Sequence, residues 1–309
     1  MAKNSNLHKA KTAKNDEFYT QLTDVSKELM HYKQHFKDKI VLCNCDDPTW
    51  SAFWKYFHLN FSALGLKKLV STHYDKTEPT YKMEYTGGDD NDIEVGVKTP
   101  LEGNGDFRNQ ECLDLLDEAD IVVTNPPFSL FREYVAILTE HQKKFLIIGN
   151  QNAIINRDIF PLFQRNEVWW GVSDCIRWFI IPDDVDMKYK FNQYGERIAE
   201  GARSRWWTNL DHKKRHEKLI LWESYDAEKY PTYDGYDAIN IDKTDHIPAD
   251  YDGKMGVPIT FIDKYNPEQF EILGLDRYIM GEGTHSDKLF SINGKLLYRR
   301  VIIRKKVGA

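Results

Sequence analysis

The chain has 309 residues, of which 41% are hydrophobic and 13% aromatic, enough to bury the core of one large domain or two smaller ones. Its formal net charge of -6 supplies no global field for a polyanion, so a nucleic-acid partner must be met by local basic patches. No apolar run approaches the ~20 residues that cross a bilayer, and the polar start "MAKNSNLHKAKTAKN" has no apolar signal centre.

The cysteines Cys43, Cys45, Cys112 and Cys175 are too few for a disulfide framework and lack zinc-site spacing. A cytoplasmic protein without a metal or a membrane is the expectation.

In chain order, the spacing of apolar residues predicts a helix over 24–36, a strand over 39–45, a helix over 48–64 and a strand over 66–74. The Gly- and Asp-rich stretch 75–105 reads as loop or a decorated connection. Helix 110–119, strand 120–124, helix 130–141 and strand 144–149 follow. Strands separated by helices of this size imply βαβ units and a mostly parallel sheet. Beyond residue 165 come aromatic, strand-like pieces: "VWWGVS", "IRWFIIP", "SRWWTNL" and "KLILW". From about 223 the chain is rich in Tyr, Asp, Gly and Pro, with short strands expected at "PITFID" (258–263) and "LLYRRVII" (296–303). Composition therefore suggests a catalytic domain over 1–222 and a smaller region over 223–309.

Two stretches concentrate positive charge. Lys3, Lys9, Lys11 and Lys14 precede the first acid, Asp16, and "RRVIIRKK" occupies 299–306. Each reads either as a polyanion contact or, more plainly, as a solvated tail and a charge-protected edge strand.

The strand at 120–124 runs into Asn125-Pro126-Pro127-Phe128. Successive prolines fix φ twice and remove two N–H donors, so the chain must leave the sheet there. On that stiff platform the Asn125 side chain and the Pro126 carbonyl offer two acceptors for an exocyclic amine, and Phe128 offers a face for a planar base. Accepting both amine hydrogens returns electron density to nitrogen, which suits attack on an electrophilic methyl group. The alternative is a plain turn, but such a tetrad should arise by chance in only about one chain of this length per hundred.

The tetrad resembles the catalytic motif of S-adenosylmethionine-dependent amino-methyltransferases. Together with "DEFYTQ" (16–21), "VLCNCDDP" (41–48), "FLIIGNQNAI" (145–154), "RWWTNLDH" (205–212) and "GVPITFIDKYNPEQFEILG" (256–274), it makes the whole chain similar to the EcoRI-type adenine-specific DNA methyltransferases. The resemblance implies an α/β, Rossmann-like methyltransferase fold: a mostly parallel sheet with an antiparallel edge, plus a smaller C-terminal target-recognition region. It also implies S-adenosylmethionine as cofactor and transfer of its methyl group to adenine N6 in double-stranded DNA, the base being flipped from the helix. A monomer is expected, in a restriction-modification or epigenetic role, with a cognate endonuclease as a partner that forms no stable complex. Methyl transfer to RNA adenine or to a protein glutamine amide, or a DNA-binding relative without catalysis, are the competing readings.

By the same resemblance, Asn125, Pro126, Pro127 and Phe128 are catalytic. Tyr19 and Thr20 belong to a segment that meets the methionine end of the cofactor, with a helix N-cap as the alternative for Thr20. Asn44, Asp46 and Asp47 occupy the cofactor loop after the first strand, although that loop lacks its usual glycines; an N-cap for a helix opening at Pro48 is the other reading. At the end of the second strand, where relatives carry an acid for the ribose, stand His73 and Tyr74, with Asp75 following. Asp106 and Phe107 of "GDF" correspond to residues that hold the cofactor adenine, or else form a Gly-Asp turn. Trp206 and Trp207 fall where the family has a hairpin near the target base; a core position is the alternative.

Overall fold

The computed structural model describes residues 19–75, 78–181, 183, 186–280 and 289–306. The chain divides into two compact units, Met1–Ala153 with Gly171–Leu210, and Ile154–Trp170 with Asp211–Ala309. The division falls earlier than the composition suggested, and residues 154–170 belong to the second unit.

The first unit holds, in order, helix α1 (Leu22–Leu29), strand β1 (Ile40–Cys43), helices α2 (Ala52–Leu59) and α3 (Phe61–Leu64), and strands β2 (Lys68–Thr72), β3 (Tyr81–Tyr85) and β4 (Val97–Pro100). Helix α4 (Gln110–Glu118), strand β5 (Ile121–Thr124), helix α5 (Phe131–Glu140) and strand β6 (Lys144–Asn150) complete its first segment. The second unit contributes helix α6 (Phe160–Gln164) and strand β7 (Trp169–Trp170); the first then resumes with β8 (Ile176–Ile180), β9 (Tyr189–Phe191) and the long β10 (Arg197–Thr208).

The sheet of the first unit runs β4-β3-β2-β1-β5-β6-β10. β1 pairs in parallel with β2 (Leu42 opposite Val70) and with β5 (Leu42 opposite Val122), and β5 pairs in parallel with β6. β10 lies antiparallel to β6, with Trp206 opposite Ile148. This is the expected Rossmann-like arrangement with an antiparallel edge. The strand order reverses at β1, so the crevice between the carboxyl ends of β1 and β5 is the switch point where such sheets bind ligands. The 75–105 connection, read as loop, contains β3 and β4, which extend the sheet antiparallel beyond β2.

Local chemistry explains the elements around that crevice. β1 and β5 are short, apolar and buried, as strands covered on both faces must be. Helix α2 starts at Ala52 rather than near Pro48 because Ser51 caps it, its hydroxyl accepting from the amides of Phe53 (3.1 Å) and Trp54 (3.3 Å). In α1 the buried Glu28 accepts from the Tyr32 hydroxyl (2.8 Å) and the amides of Val172 (2.8 Å) and Ser173 (2.7 Å), which makes its burial tolerable. Phe53, Trp54, Phe57, Val123, Leu146, Ile148 and Trp206 fill the core between helices and sheet.

The second unit continues with β11 (Ile239–Asn240), β12 (Met255–Pro258), β13 (Phe270–Leu275), β14 (Ser291–Ile292), β15 (Lys295–Leu296) and β16 (Arg300–Lys305). Its main sheet is ordered β11-β12-β16-β13, and β14-β15 form a separate hairpin. The basic β16 is therefore internal, not the edge strand its charge suggested. Its bases turn to local partners: Arg300 to Asn240 (3.0 Å), Arg304 to Glu271 (2.8 Å) and Lys305 to Asp252 (3.2 Å). "PITFID" is a strand only up to Pro258; Ile259–Lys264 wind into a 3-10 turn that buries Phe261 and Ile262.

Candidate active site at the carboxyl ends of the strands

Asn125 leaves the sheet directly after β5. Pro126 is buried, and Pro127 (φ -54, ψ 124) turns the chain into a 3-10 turn, Phe128–Leu130, that leads into α5. The Pro127 carbonyl accepts from the Leu130 amide at 2.9 Å, whereas among the described residues no backbone amide donates to the Pro126 carbonyl. The half-buried Phe128 meets Phe179 of β8 edge-on, ring centroids 6.0 Å apart. Rigid proline geometry and aromatic packing fix the tetrad without help from a ligand.

Asp46 braces this loop from the segment that follows β1. It is buried, and its carboxylate accepts from the Ser51 hydroxyl (3.1 Å), from the Thr124 hydroxyl and from the backbone amide of Asn125. Its own carbonyl accepts from Ser71 of β2. Burial pushes the Asp46 carboxyl up to about 7, and the hydroxyl and amide donors only partly offset that cost. The acid expected to face the cofactor thus ties the ends of β1, β2 and β5 together.

Asn44 and Phe107 also converge. The buried Asn44 accepts from the Tyr134 hydroxyl, and the Tyr134 ring meets Phe107 edge-on at 4.9 Å. Asp106 beside it pairs with Arg108, whose Nε lies at 2.8 Å and Nη2 at 2.6 Å; that pairing holds its carboxyl below the usual range. Gly105 (φ +73) is needed here because a Cβ would fall 2.0 Å from the His73 carbonyl oxygen. The loop bearing Asp106 and Phe107 thus passes directly over the end of β2.

Asp47 accepts from the Tyr81 hydroxyl (2.8 Å) and from the amide and hydroxyl of Thr49 (2.8 and 2.7 Å), with His73 Nε2 at 3.5 Å. Tyr74 is 43% exposed. Tyr19 bridges to Ile180 and packs its ring on Trp50 at 3.8 Å, which brings the adjacent buried Thr20 toward the loop after β1. Thr20 Oγ1, Thr72 Oγ1 and His73 Nδ1 are buried without a hydrogen-bond partner among the described residues. Such a deficit at the strand ends suits a polar ligand with hydroxyl and amino groups.

Trp206 and Trp207 are core residues, and the expectation that they approach a base is corrected. They are 1% and 0% exposed. Trp206 packs against Phe53 at 5.9 Å; Trp207 packs against Phe131 at 5.0 Å and donates from Nε1 to the Gly149 carbonyl at 3.1 Å. On β10 they lie opposite Ile148 and Ile147 of the buried β6. Lys3, Lys9, Lys11 and Lys14 lie outside the described residues.

Thr124, Ser51, Tyr134 and Arg108 position the expected site residues, and none of them stood out in the sequence. The single available signal was a run of hydroxyl residues at strand and helix ends, which is too common to single out. Among the described residues no helix is long and apolar enough to cross a membrane.

A profile of the family described as "Adenine-specific methyltransferase EcoRI" matches residues 6–306. The type II methyltransferase M.EcoRI of Escherichia coli is 44% identical, over 99% of this chain and 98% of that protein. M.MpnI of Mycoplasma pneumoniae and M.MgeORF184P of Mycoplasma genitalium, both also named type II methyltransferases, are 36% and 35% identical, each over 97% of this chain and 98% of the relative. No solved structure gives a significant match. With a sheet parallel at its centre, a braced Asn-Pro-Pro-Phe at its switch point and matches along nearly its whole length, the chain belongs to the EcoRI family of adenine-specific methyltransferases.

Proposed function

We propose that this DNA adenine methyltransferase draws its methyl group from S-adenosylmethionine and transfers it directly to N6 of an adenine flipped out of duplex DNA. The observation that carries the reading is the Asn125–Phe128 platform, fixed by two prolines and braced by Asp46 at the switch point of the sheet. When bound, the cofactor supplies an electrophilic methyl group. Asn125 and the Pro126 carbonyl accept from the adenine amine and Phe128 stacks on the ring, so the nitrogen is oriented and its lone pair made available. Unpairing the adenine costs a few kcal/mol, offset by that stacking and hydrogen bonding.

Thr20, Asn44, Asp47, Asp106 and Phe107 are proposed to line the cofactor site, with Tyr19, Tyr74 and His73 at its margin; Asp46 contributes by bracing. The unpartnered Thr20 and His73 atoms support this. The second unit is the proposed reader of the DNA sequence, a GAATTC-like palindrome by resemblance, and the N-terminal lysines would add phosphate contacts. The protein is proposed to act as a cytoplasmic monomer, alongside a nuclease of the same specificity that it does not bind stably.

Tritium transfer from labelled S-adenosylmethionine to separate pools of DNA, RNA and protein tests the reading. Label should appear in DNA as N6-methyladenine. Label confined to RNA or protein would refute it, and methylation-sensitive sequencing of the treated DNA identifies the site.

A further inference from the structure

The second unit carries an exposed strap whose chemistry the catalytic site does not use. Residues 217–223 run along its surface, extended at Glu217 (φ -68, ψ 124) and pinned by two buried amides. Gln269 accepts from the Leu219 amide (2.8 Å) and donates to the Leu219 carbonyl (2.7 Å), and Asn266 donates to the Glu217 carbonyl (3.4 Å). At the far end Glu223 bridges to Pro248, its carbonyl accepting from the Ala249 amide at 2.8 Å. Burial then alternates, with Leu219 and Leu221 partly buried and Lys218, Ile220 and Trp222 exposed. Ile220 is 82% and Trp222 67% exposed. A loose loop hides such side chains, but a strap held at 217, 219 and 223 cannot. Large apolar groups kept rigidly in water mark a surface with a partner.

Charge identifies that partner. Lys213 and Lys214 open the same segment, and Lys218 sits between the apolar positions. The neighbouring acids are engaged locally: Asp211 and Glu268 by His216 (2.8 and 3.1 Å), and Glu223 by Lys229 (2.5 Å). Arg215 lies over the Trp169 ring at 3.7 Å, which removes it from the outer face. Among the described residues no salt bridge engages Lys213 or Lys218, and within 211–223 Glu217 is the exposed acid that remains. Lysines interleaved with apolar side chains on a fixed backbone match a DNA groove, where phosphates flank apolar sugar and base edges.

We propose that the segment from Lys213 to Trp222 is a duplex-DNA docking strap, with Lys213 and Lys218 on phosphates and Ile220 and Trp222 against the groove between them. The proposal rests on duplex DNA being the substrate. It adds a contact surface separate from the Asn125 platform.

Two full-length variants test it, Lys213→Gln with Lys218→Gln, and Ile220→Ser with Trp222→Ser. Binding is read by fluorescence anisotropy on a duplex carrying GAATTC and on its scrambled form, at several salt concentrations. Methyl transfer to DNA by the wild type and S-adenosylmethionine binding by every protein are measured in parallel. The lysine pair should lower the slope of log affinity against log salt by about 1.8 on both duplexes, about 0.9 for each phosphate contact. The apolar pair should weaken binding about tenfold at fixed salt and leave the slope unchanged. Cofactor binding and thermal midpoint should stay at wild-type values, since these side chains are exposed.

An active wild type whose two variants bind DNA as it does would overturn the strap alone. A wild type that binds cofactor but neither binds nor methylates DNA would overturn the substrate reading instead. A strap that joins two copies of the chain would show in sedimentation as a dimer lost in the apolar variant with DNA binding intact, and that result also overturns the proposal.

Discussion

The hydroxyl of Thr124, at the end of β5, donates to the carboxylate of Asp46, just past the end of β1. The Asn125 amide donates to the same carboxylate, so Asn125, the proposed amine acceptor, is held by a buried acid in the loop after the neighbouring strand.

Burial raises the Asp46 carboxyl from 3.8 to about 7. The folded state therefore holds a proton that the unfolded chain releases. Stability from this group is fully present below the unfolded value, falls by ~1.4 kcal/mol per pH unit above it, and is lost as pH rises through about 7. Asp46→Asn removes the titration. Urea midpoints measured between pH 4 and 8 should show wild type losing stability relative to Asp46→Asn as pH rises; parallel profiles would contradict a buried, proton-holding Asp46.

Asn125→Ala should reduce methyl transfer at least ~100-fold, as expected when a transition-state acceptor is removed, while cofactor affinity stays within about tenfold. Single-turnover rates and calorimetric titration separate the two effects. An active variant would exclude the proposed role.

Phe128 meets Phe179 edge-on and is only half buried, so ring surface remains for a base. Phe128→Ala should weaken the extruded state by ~1 to 3 kcal/mol, and Phe128→Tyr or Phe128→Trp should largely keep it. With 2-aminopurine at the target adenine, equal fluorescence enhancement by wild type and Phe128→Ala would remove stacking from the mechanism.

Direct transfer needs no thiol. Cys43 and Cys112 are buried, and burial pushes the thiols of Cys43, Cys45 and Cys112 up, the last to about 12, so they are poor nucleophiles. A variant with all four cysteines replaced by Ala or Ser should transfer methyl groups wherever it folds. An inactive variant that still folds and binds cofactor would argue for a covalent step.

Trp206 and Trp207 should behave as core. Trp206→Ala is expected to cost ~3 to 5 kcal/mol of stability. The milder Trp207→Phe should lower the thermal midpoint and leave DNA affinity within about twofold of wild type. A stable Trp207→Phe protein with much weaker DNA binding would restore a base-facing role.

Outside the 75–105 connection, the sequence by itself determined the alternation of strands and helices up to residue 150, because apolar periodicity is local and buried parallel strands must be continuously apolar. It also determined the Asn-Pro-Pro-Phe loop, since two prolines dictate a backbone wherever they stand. Only the tertiary structure decided what the other residues do. Asp46 could face a ligand or a neighbouring strand, and that depends on Thr124, far along the chain. A tryptophan pair reads the same in a core or against a base until β10 is placed opposite the buried β6. The 75–105 connection hid β3 and β4 because these strands are mostly not fully buried, and such strands lack the apolar signature that pattern reading requires. The basic β16 read as an edge because charge advertises exposure, while its bases are spent on acids and amides brought near only by the fold.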